Sequence, residues 1–405
     1  MSAARVLVTD AGRGSAIAVI RSLGRRGLHV IATDHDRRSP GFRSRYAAER
    51  IVLPDPAADP AGVVDRLHAL AAAGRVDLIV PVTDEVLLPL SDARERFDGL
   101  CALAIPDRAA LATAGDKAAT LDLARRLGVP VPPTVVARTA DEALAAASDL
   151  GWPVVLKPAS SRVVRDGVVE RFEVVYADGP VALAAAMRRF EGRCAVLVQE
   201  YRAGVGHGVE LLVDRGRPLL VFQHRRLHEV PITGGVSALR EGVEPDPVLL
   251  DHATRLLGAL GWTGLAMVEF RVGEAGPVLM EVNGRIWGSL PLAVKSGADF
   301  LLGLAALYLG PRLNRAANGT AATPAVGVRS RNLGLEIVWI AMVLRRRRRY
   351  PYLHAPARRA GLAAAVRLPL PRDGFDVLSL DDPLPGLADA ARAAGHVLRK
   401  VGHAA

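Results

Sequence analysis

The first hundred residues alternate short apolar runs with amphipathic stretches, a pattern typical of strands and helices that follow one another. Apolar runs at 5–9, 29–33 and 77–82 predict buried strands, and the stretches at 16–26 and 62–73 predict helices between them. This alternation predicts a parallel sheet wound on both faces. A ligand of such a sheet lies beyond the carboxyl ends of the strands. The sequence places there Asp10, Gly12, Gly14, Asp34, Thr83, Asp84 and Glu85.

The region after residue 107 has a different pattern. Residues 107–150 have helical periodicity, interrupted by an extended Pro-rich connector at 128–133. Farther on, apolar runs predict strands at 154–157, 172–176, 195–199, 208–213, 219–224, 264–272 and 277–282. Helices are predicted at 180–190 and 247–260. Because strands and helices are mixed in this way, we expect an α+β region after the α/β domain.

Composition and charge narrow the class of protein. Half of the 405 residues are hydrophobic and 23% are charged, which excludes a largely disordered chain. The formal net charge is +10, and residues 311–405, with 16 basic and 6 acidic residues, account for all of it. The first 310 residues are therefore neutral overall, and their charge does not indicate a nucleic-acid partner.

The cysteines and the start of the chain carry a prediction about location. Cys101 and Cys194 are too few for a disulfide scaffold or a cysteine-rich zinc site. The residues before the first predicted strand contain no apolar leader. We therefore expect a cytoplasmic protein.

Lysine is scarce in this arginine-rich chain. The only lysines among 52 basic residues are Lys117, Lys157, Lys295 and Lys400. Each retained lysine is a candidate for a position that needs a compact ammonium rather than a planar guanidinium, although chance retention explains any one of them equally well.

The loop after the first predicted strand has part of a dinucleotide-binding pattern. Gly12 and Gly14 precede a helix, and Asp34 ends the next strand, as in a pyrophosphate cradle with a ribose-binding acid. The third glycine of that pattern is missing, because position 17 is Ile17. Two interpretations stay open: a dinucleotide site, or a tight turn beside a small-molecule pocket, which the sequence favours.

Two carboxylates stand inside apolar runs on neighbouring predicted strands. Alternation puts Glu281 and Asn283 on one face of their strand, and a turn at 273–276 predicts a hairpin that brings Glu269 opposite. Two carboxylates and an amide oxygen are ligands that Mg²⁺ takes beside nucleotide phosphates. Arg285, two residues farther along, is placed to bind a phosphate or carboxylate through two hydrogen bonds. The alternative is a pair of buried acids, each neutralised by an arginine.

These motifs, taken in order, resemble the ATP-grasp superfamily. The motifs are Lys117, Val-Leu-Lys157-Pro, Val-Gln-Glu200-Tyr, Val-Glu269-Phe and Met-Glu281-Val-Asn283-Gly-Arg285. They are most similar to the carboxylate–amine ligase branch related to the carbamoyl-phosphate synthase large subunit, and the resemblance covers about residues 1 to 310. It implies a doubly wound domain at 1–110, a small ATP-grasp subdomain at 111–198 and a large one at 199–310. A basic helical extension at 311–405 follows.

The resemblance also implies roles for individual residues. Lys117 and Lys157 would hold the phosphates of ATP, and the loop at 160–170 would close over them as a lid. Adenine would bind at the hinge between the subdomains, through Glu200 and the backbone of Tyr201 and Ala203. Mg²⁺, or Mn²⁺, would be bound by Glu269, Glu281 and Asn283. The ribose position departs from the family pattern, and the best-spaced candidates there are His207 and Glu210.

A further segment resembles the border of the acceptor site in the same branch. In residues 224–237, Arg225 and Arg226 would attract an anionic substrate, with Gly235 and Ser237 beside them. A surface hairpin with a charged tip is the alternative, above all for Arg225. The spacing of Trp287 and Ser289 fits a substrate wall, and ordinary packing explains the tryptophan equally well.

The function implied is an ATP-dependent carboxylate–amine or carboxylate–thiol ligase. An acylphosphate would form with release of ADP, and the acceptor would then displace phosphate. Arg285 and Lys157 are the candidate catalytic residues, with Gly12 and Gly14 as candidates for substrate contact. Two alternatives stay open: an NAD-dependent oxidoreductase that uses the Gly12–Gly14 loop, and a non-catalytic ATP-binding sensor. The partners expected are small-molecule acids and amines, and a homodimer is also left open.

The extension has an apolar stretch at 332–344 that contains Glu336 and is shorter than the ~20 residues of a membrane span. A basic cluster, 345–349, follows it, with Trp339, Tyr350 and Tyr352 nearby. An apolar helix that ends in basic residues predicts either docking against the rest of the protein or contact with an anionic membrane surface. We favour docking. Nucleic-acid binding is the least favoured interpretation, because no recognition motif accompanies the charge.

Overall fold

The computed structural model describes residues 3–159, 163–165, 168–170, 172, 174–310, 313, 323–345, 356–368 and 373–402. Of the predicted lid at 160–170, it describes only the backbone of two strands, β8 (Val163–Arg165) and β9 (Val168–Glu170), which pair antiparallel. Residues 160–162 and 166–167 of that lid, and 346–355 with most of the basic cluster, lie outside the described residues.

The N-terminal domain contains a five-stranded parallel sheet in the order β3-β2-β1-β4-β5. Its strands are β1 (Arg5–Val8), β2 (His29–Asp34), β3 (Glu49–Val52), β4 (Leu78–Val80) and β5 (Ala102–Leu103). The helices that follow along the chain are α1 (Gly14–Arg25), α2 (Pro60–Ala72), α3 (Asp84–Asp92), α4 (Arg108–Gly115) and α5 (Lys117–Arg126). Apolar side chains of β1 alternate between two cores, one on each face, so the sheet is buried on both sides.

A four-stranded antiparallel sheet forms the second layer of the protein. Its order is β10-β7-β11-β6, with β6 (Thr134–Ala137), β7 (Val154–Pro158), β10 (Val175–Ala177) and β11 (Val196–Glu200). The helices α6 (Ala140–Leu150) and α7 (Pro180–Met187) pack on one face around Phe190 and Leu156. Thr139 caps α6, because its side chain accepts a hydrogen bond from the N–H of Glu142.

The largest sheet has seven strands in the order β16-β15-β12-β13-β14-β17-β18. They are β12 (Val205–Asp214), β13 (Arg217–Val230), β14 (Val236–Val243), β15 (Gly264–Gly273), β16 (Gly276–Asn283), β17 (Arg329–Arg331) and β18 (Gly374–Phe375). Helix α8 (Pro247–Ala259) covers one face. Helices α9 (Leu290–Lys295) and α10 (Phe300–Leu309) join part of the other face to the N-terminal domain in one core.

The C-terminal extension is folded onto the rest of the protein. It contributes helices α11 (Leu333–Leu344), α12 (Arg358–Arg367) and α13 (Pro383–Gly402), and also β17 and β18. The helical extension predicted from the sequence also contains two short strands: β17 pairs with β14, and Arg331 of β17 is neutralised by Asp373. Trp339 and Val343 of α11 are buried against Ala238 of β14, which is the docked arrangement that we favoured.

The end of the extension returns to the N-terminal domain. The Arg21 Nε donates to Asp382 Oδ2 over 2.8 Å, and both side chains are almost fully buried. Ser44 also donates to Asp382, over 2.6 Å, while Asp381 pairs with Arg25 at the surface. Among the described helices, none combines the length and the apolar character that crossing a bilayer requires. The mixed α/β and α+β class predicted from the sequence is confirmed.

Candidate active site

The β15–β16 hairpin places the two acids opposite each other. Glu269 pairs with Glu281 and Met267 pairs with Asn283, so the two carboxylates and the amide share one face of the sheet. The Asn283 amide donates to Glu269 Oε1 over 3.0 Å and to Glu281 Oε1 over 3.2 Å. The amide lies between the two acids, as in a site prepared for positive charge.

The two predicted phosphate-binding lysines come from different elements and converge on this hairpin. Lys117 begins α5, and its Nζ lies 3.3 Å from Glu281 Oε2. Lys157 lies in β7, is buried, and donates to Gln199 Oε1 over 2.9 Å. Thr134 accepts a hydrogen bond from the other end of the Gln199 amide, which fixes this partner. Gln199 was not singled out from the sequence.

Burial and mutual attraction set the charge of these groups. Burial lowers the pKa of Lys157 to about 8, and Lys117 and Arg271 add to this effect, while Glu281 opposes it. Desolvation acts to raise the pKa of Glu281, but Lys117 and Lys157 outweigh it and lower that pKa to about 2. Glu281 is therefore ionised at neutral pH, as a cation ligand must be.

A row of alternating charges continues from Glu269 along the same face. Arg226 of β13 donates to Glu269 and also lies 3.4 Å from Glu229 Oε1, and Glu229 Oε2 in turn lies 3.1 Å from Arg271 Nη1. Gly206 leaves room for this row, because a Cβ there would lie 2.8 Å from Arg226 Cδ. Glu229 and Arg271 were not predicted as site residues. Alternation from Glu269 does indicate the position of Arg271.

The candidates from the segment 224–237 do not all lie on the same face of the sheet. Arg226 Nη1 donates to Gly235 O over 2.8 Å, so both belong to the row. Arg225 points to the opposite face and binds Glu241 over 2.6 Å, so its predicted role at the anion site is not supported. Ser237 lies at the start of β14, where its hydroxyl approaches Leu239 O at 3.5 Å.

Arg285 leaves the hairpin toward the N-terminal domain. Its Nε donates to Asp84 Oδ2 over 3.1 Å, and Nη1 donates to Ile286 O over 3.1 Å. Its charge still acts on Glu281, whose pKa it helps to lower. The predicted catalytic arginine is therefore beside the acidic pair, but it is held by the rim of the parallel sheet.

The hinge residues lie between the two antiparallel sheets. Glu200 ends β11, and its N–H donates to Pro133 O over 2.9 Å, while its side chain pairs with Arg202. The N–H of Tyr201 donates to Pro153 O over 3.3 Å. Ala203 is exposed just before β12. The three predicted adenine contacts thus lie together at the connection from β11 to β12.

Neither ribose candidate is open to a ligand on the face of the sheet that carries Glu269. His207 is on the opposite face of β12 from Glu269, and its Nδ1 accepts a hydrogen bond from Gln223 over 3.2 Å. Glu210 is fully buried and is bound by Ser289 at 2.9 Å and by His224 at 2.9 Å. Both assignments are corrected: alternation along β12 turns His207 to the face opposite Glu269, whereas packing in the core encloses Glu210.

Trp287 and Ser289 also belong to the interior. Trp287 is fully buried with its ring against Phe300, at a centroid separation of 5.7 Å. Ser289 is 6% exposed and donates to Glu210. Packing, the alternative explanation at the sequence level, accounts for Trp287, and a substrate wall does not.

The Gly12–Gly14 loop is closed by the protein itself. The N–H of Gly12 donates to Asp34 Oδ2 over 2.7 Å, and Ser39 donates to the same oxygen over 3.1 Å. A Cβ on Gly14 would lie 3.1 Å from Val377 Cγ2 of the extension. Asp34 is buried and fully engaged, so a dinucleotide does not fit here. Gly12 and Gly14 are therefore also removed from the substrate contacts.

The donor set fits a divalent cation bound together with a polyphosphate. Two carboxylates and one amide are oxygen donors of the kind that Mg²⁺ and Mn²⁺ prefer. Within the described part of the chain there is no cluster of three or more His, Cys, Asp or Glu that could hold a metal alone. The three donors would leave coordination positions for phosphate oxygens, and Lys117 and Lys157 supply the remaining positive charge.

Sequence comparisons agree with this arrangement. Residues 193–329 match the family described as ATP-grasp in the biosynthetic pathway with Ter operon, and residues 109–175 match the ATP-grasp domain. The first match contains Glu269, Glu281 and Asn283, and the second contains both site lysines. The chain belongs to the ATP-grasp superfamily.

A curated relative of this ATP-grasp chain is the formate-dependent phosphoribosylglycinamide formyltransferase of Burkholderia pseudomallei. It is 32% identical over 172 residues, which are 42% of this chain and 40% of the relative. The Mycolicibacterium smegmatis protein of the same name is 32% identical over 144 residues, 35% of this chain and 34% of the relative. The chain thus matches less than half of the length of these relatives.

Solved structures share the fold at low sequence identity. The biotin carboxylase domain of Hydrogenobacter thermophilus 2-oxoglutarate carboxylase, in complex with MgADP and bicarbonate, has a TM-score of 0.62 and 19% identity. That likeness covers 81% of this chain and 74% of the other. N5-carboxyaminoimidazole synthetase from Staphylococcus aureus has a TM-score of 0.62 and 12% identity, with 80% of each chain covered. These likenesses confirm the ATP-grasp fold.

Proposed function

We propose that this ATP-grasp protein is a ligase that uses ATP to activate a small carboxylic acid and joins it to an amine or a thiol. The observation that carries the proposal is the pairing of Glu269 with Glu281 across one hairpin, with Lys117 and Lys157 converging on it. Such a site combines the ligands for a metal–nucleotide complex with fixed positive charge for its phosphates. The predicted domain boundaries at 110, 198 and 310 are part of the proposal.

The charges on the protein address the difficulty of the first step. A carboxylate approaches the γ-phosphate of ATP as one anion approaching another, so the barrier is largely electrostatic. Lys117 and Lys157 would hold phosphate oxygens and spread the developing charge. Mg²⁺, bound by Glu269, Glu281 and Asn283, would add Lewis-acid stabilisation of the transferred phosphoryl group. The γ-phosphoryl group passes to the acid, ADP leaves, and the product is an acylphosphate.

The row that contains Arg226 and Arg271 is the proposed position of the acid. Arg226 is nearly buried and faces Glu269, so a carboxylate bound to it would lie beside the phosphoryl group. Arg285 would reach the same region from the N-terminal rim. The acceptor then attacks the carbonyl carbon and phosphate leaves, with no covalent bond to a protein side chain. The strands β8 and β9 belong to the proposed lid, which would exclude water.

The relatives support this class of chemistry. The Burkholderia protein is a formate-dependent formyltransferase by name, and a structural neighbour from Bacillus licheniformis is an L-amino acid ligase, with a TM-score of 0.56 and 16% identity. The Hydrogenobacter domain is a dimer that holds MgADP. For this chain, ATP with Mg²⁺ or Mn²⁺ as cofactors, the acid and acceptor, and a homodimer are proposals.

The direct test incubates the protein with ATP, MgCl₂ and a matrix of small acids and amines, and measures ADP and phosphate. Hydroxylamine in place of the amine traps an acylphosphate as a hydroxamate. We expect ADP, phosphate and hydroxamate to appear together and to depend on the acid. Release of AMP and pyrophosphate would overturn the acylphosphate route, and nucleotide binding without turnover over the whole matrix would favour a sensor.

A further inference from the structure

The pairing between β13 and β14 is irregular on both sides of His228. Arg226 and Glu229 are three residues apart, so a regular strand would turn their side chains to opposite faces. In this protein, Arg226 Nη1 lies 3.4 Å from Glu229 Oε1, and Glu229 also reaches Arg271. The irregularity at His228 therefore brings the Glu229 carboxylate and the Arg226 guanidinium together beside Glu269.

Helix α11 of the extension holds His228. The imidazole ring stacks on Trp339, with centroids 3.5 Å apart and planes within 6° of parallel. Its Nδ1 lies 2.9 Å from Glu336 Oε1 and 3.1 Å from Oε2. Glu336 is 1% exposed, and a buried carboxylate costs free energy unless it is paired. The stack and the contact with the carboxylate together fix the ring on the surface of α11.

The tip of the β13–β14 hairpin links the position of His228 to that of Arg226. Residues 231–235 join β13 to β14, and a Cβ on Gly234 would lie 2.8 Å from Arg271 Nη2 and 3.1 Å from Tyr176 Oη. The tip thus lies between the large sheet and β10 of the smaller one. Gly235 O accepts the hydrogen bond from Arg226 that fixes the guanidinium. A shift of the strand at His228 would move this acceptor.

We propose that α11 is a positioning element of the active site, acting through His228. Glu336 and Trp339 hold the irregular turn of β13 and thereby aim Arg226 and Glu229 at the carboxylate-binding position. The inference rests on the proposed function for the role of that position, but not for the geometry. It gives the extension beyond residue 329, where the family match over 193–329 ends, a part in substrate binding.

The test compares variants on one helix. Glu336→Gln removes the carboxylate that His228 Nδ1 contacts. Trp339→Phe retains an apolar ring but shortens the stack, and it is the second variant in case the first fails to fold. Val343→Ala is the matched control: Val343 is fully buried in the same cluster as Trp339, but its side chain has neither a polar group nor a ring with which to hold His228. Amide hydrogen exchange of residues 226–237 is measured without any ligand, with nucleotide affinity and acid KM measured afterwards.

We expect Glu336→Gln and Trp339→Phe to speed exchange in 226–237 by about tenfold and to raise the acid KM by about tenfold, with ADP affinity unchanged. Val343→Ala should lower the melting temperature without either effect. Equal effects in Val343→Ala, or unchanged exchange in the first two variants, would overturn the inference. If the parent protein forms no product with any acid, the proposed function fails, and the exchange comparison still decides whether α11 holds β13.

Discussion

The guanidinium of Arg226 donates a hydrogen bond to Glu269, one of the two carboxylates of the proposed metal site. The Nζ atom of Lys117 lies 3.3 Å from the other carboxylate, Glu281. Each carboxylate therefore has a cationic side chain of the protein as its partner. Lys117 can move to a phosphate when ATP binds. Arg226 is also bound to Gly235 O and Glu229, and these two contacts keep its guanidinium beside Glu269. A divalent cation that binds Glu269 must compete with Arg226.

The first prediction follows from this competition. Replacement Arg226→Met should raise the affinity of the nucleotide-free protein for Mn²⁺ by about tenfold, because the metal no longer displaces a buried cation. Electron paramagnetic resonance of free Mn²⁺ measures this without turnover. Arg225→Met is the matched control, since the neighbouring residue faces the other side of the sheet and binds Glu241. Equal Mn²⁺ affinity in the parent and Arg226→Met would contradict the competition.

The second prediction concerns Glu281. Replacement Glu281→Gln should reduce Mg²⁺-dependent ADP formation by about a thousandfold, because the amide is a neutral and weaker metal ligand. Binding of a fluorescent ADP analogue should lose its dependence on Mg²⁺. Glu274→Gln, in the exposed turn of the same hairpin, should leave both measurements unchanged. Full activity of Glu281→Gln would contradict the assignment of Glu281 as a metal ligand.

Much of the site is readable from the sequence because it depends on local patterns. The opposition of Glu269 and Glu281 follows from alternation in two strands joined by a short turn. The same alternation predicts the face on which His207 lies. On β12 this face also carries Val209 and Leu211, whose side chains enter the core under α8. Spacing from the hinge suggested a ribose contact, and the alternation argues against it.

Other features depend on contacts between distant parts of the chain. Strand β17 reads Arg-Ser-Arg and has no apolar pattern, yet it extends the large sheet because Asp373 and Asp376 neutralise the buried Arg331 and Arg240. Glu229 joins the charged row where the pairing of β13 is irregular at His228, and His228 contacts Glu336, more than a hundred residues farther along the chain. No local periodicity predicts such arrangements.

The third prediction tests how the extension is attached. Arg21 and Asp382 form a pair whose side chains are 5% and 2% exposed, so Arg21→Met leaves a buried carboxylate without its cation. The free energy of unfolding should fall by about 3–5 kcal/mol. Arg25→Met is the control, because Arg25 and Asp381 are 38% and 42% exposed and such a pair contributes about 1 kcal/mol or less. Urea denaturation measures both variants, and equal losses would contradict the assignment of the buried pair as the stronger attachment.

The fourth prediction concerns pH and His207. Burial lowers the pKa of His207 to about 4, and the neighbouring His224 and Arg225 add to this effect. An unfolded histidine titrates near about 6.5, so between about pH 6.5 and pH 4 the unfolded chain binds a proton that the folded protein does not. The contribution of neutral His207 to stability is therefore complete above about pH 6.5 and is lost as the pH falls toward 4.

His207→Gln should remove this dependence. The side chain is partly exposed, so solvent reduces the contribution to about 1 kcal/mol. Urea midpoints at pH 7.5, 6.0 and 4.5 should fall less steeply in the variant than in the parent protein, and Gln223, which donates to His207 Nδ1, retains an acceptor in the new side chain. An identical pH dependence in both proteins would show that the imidazole already accepts a proton in the folded state, which would require Gln223 to turn away from it.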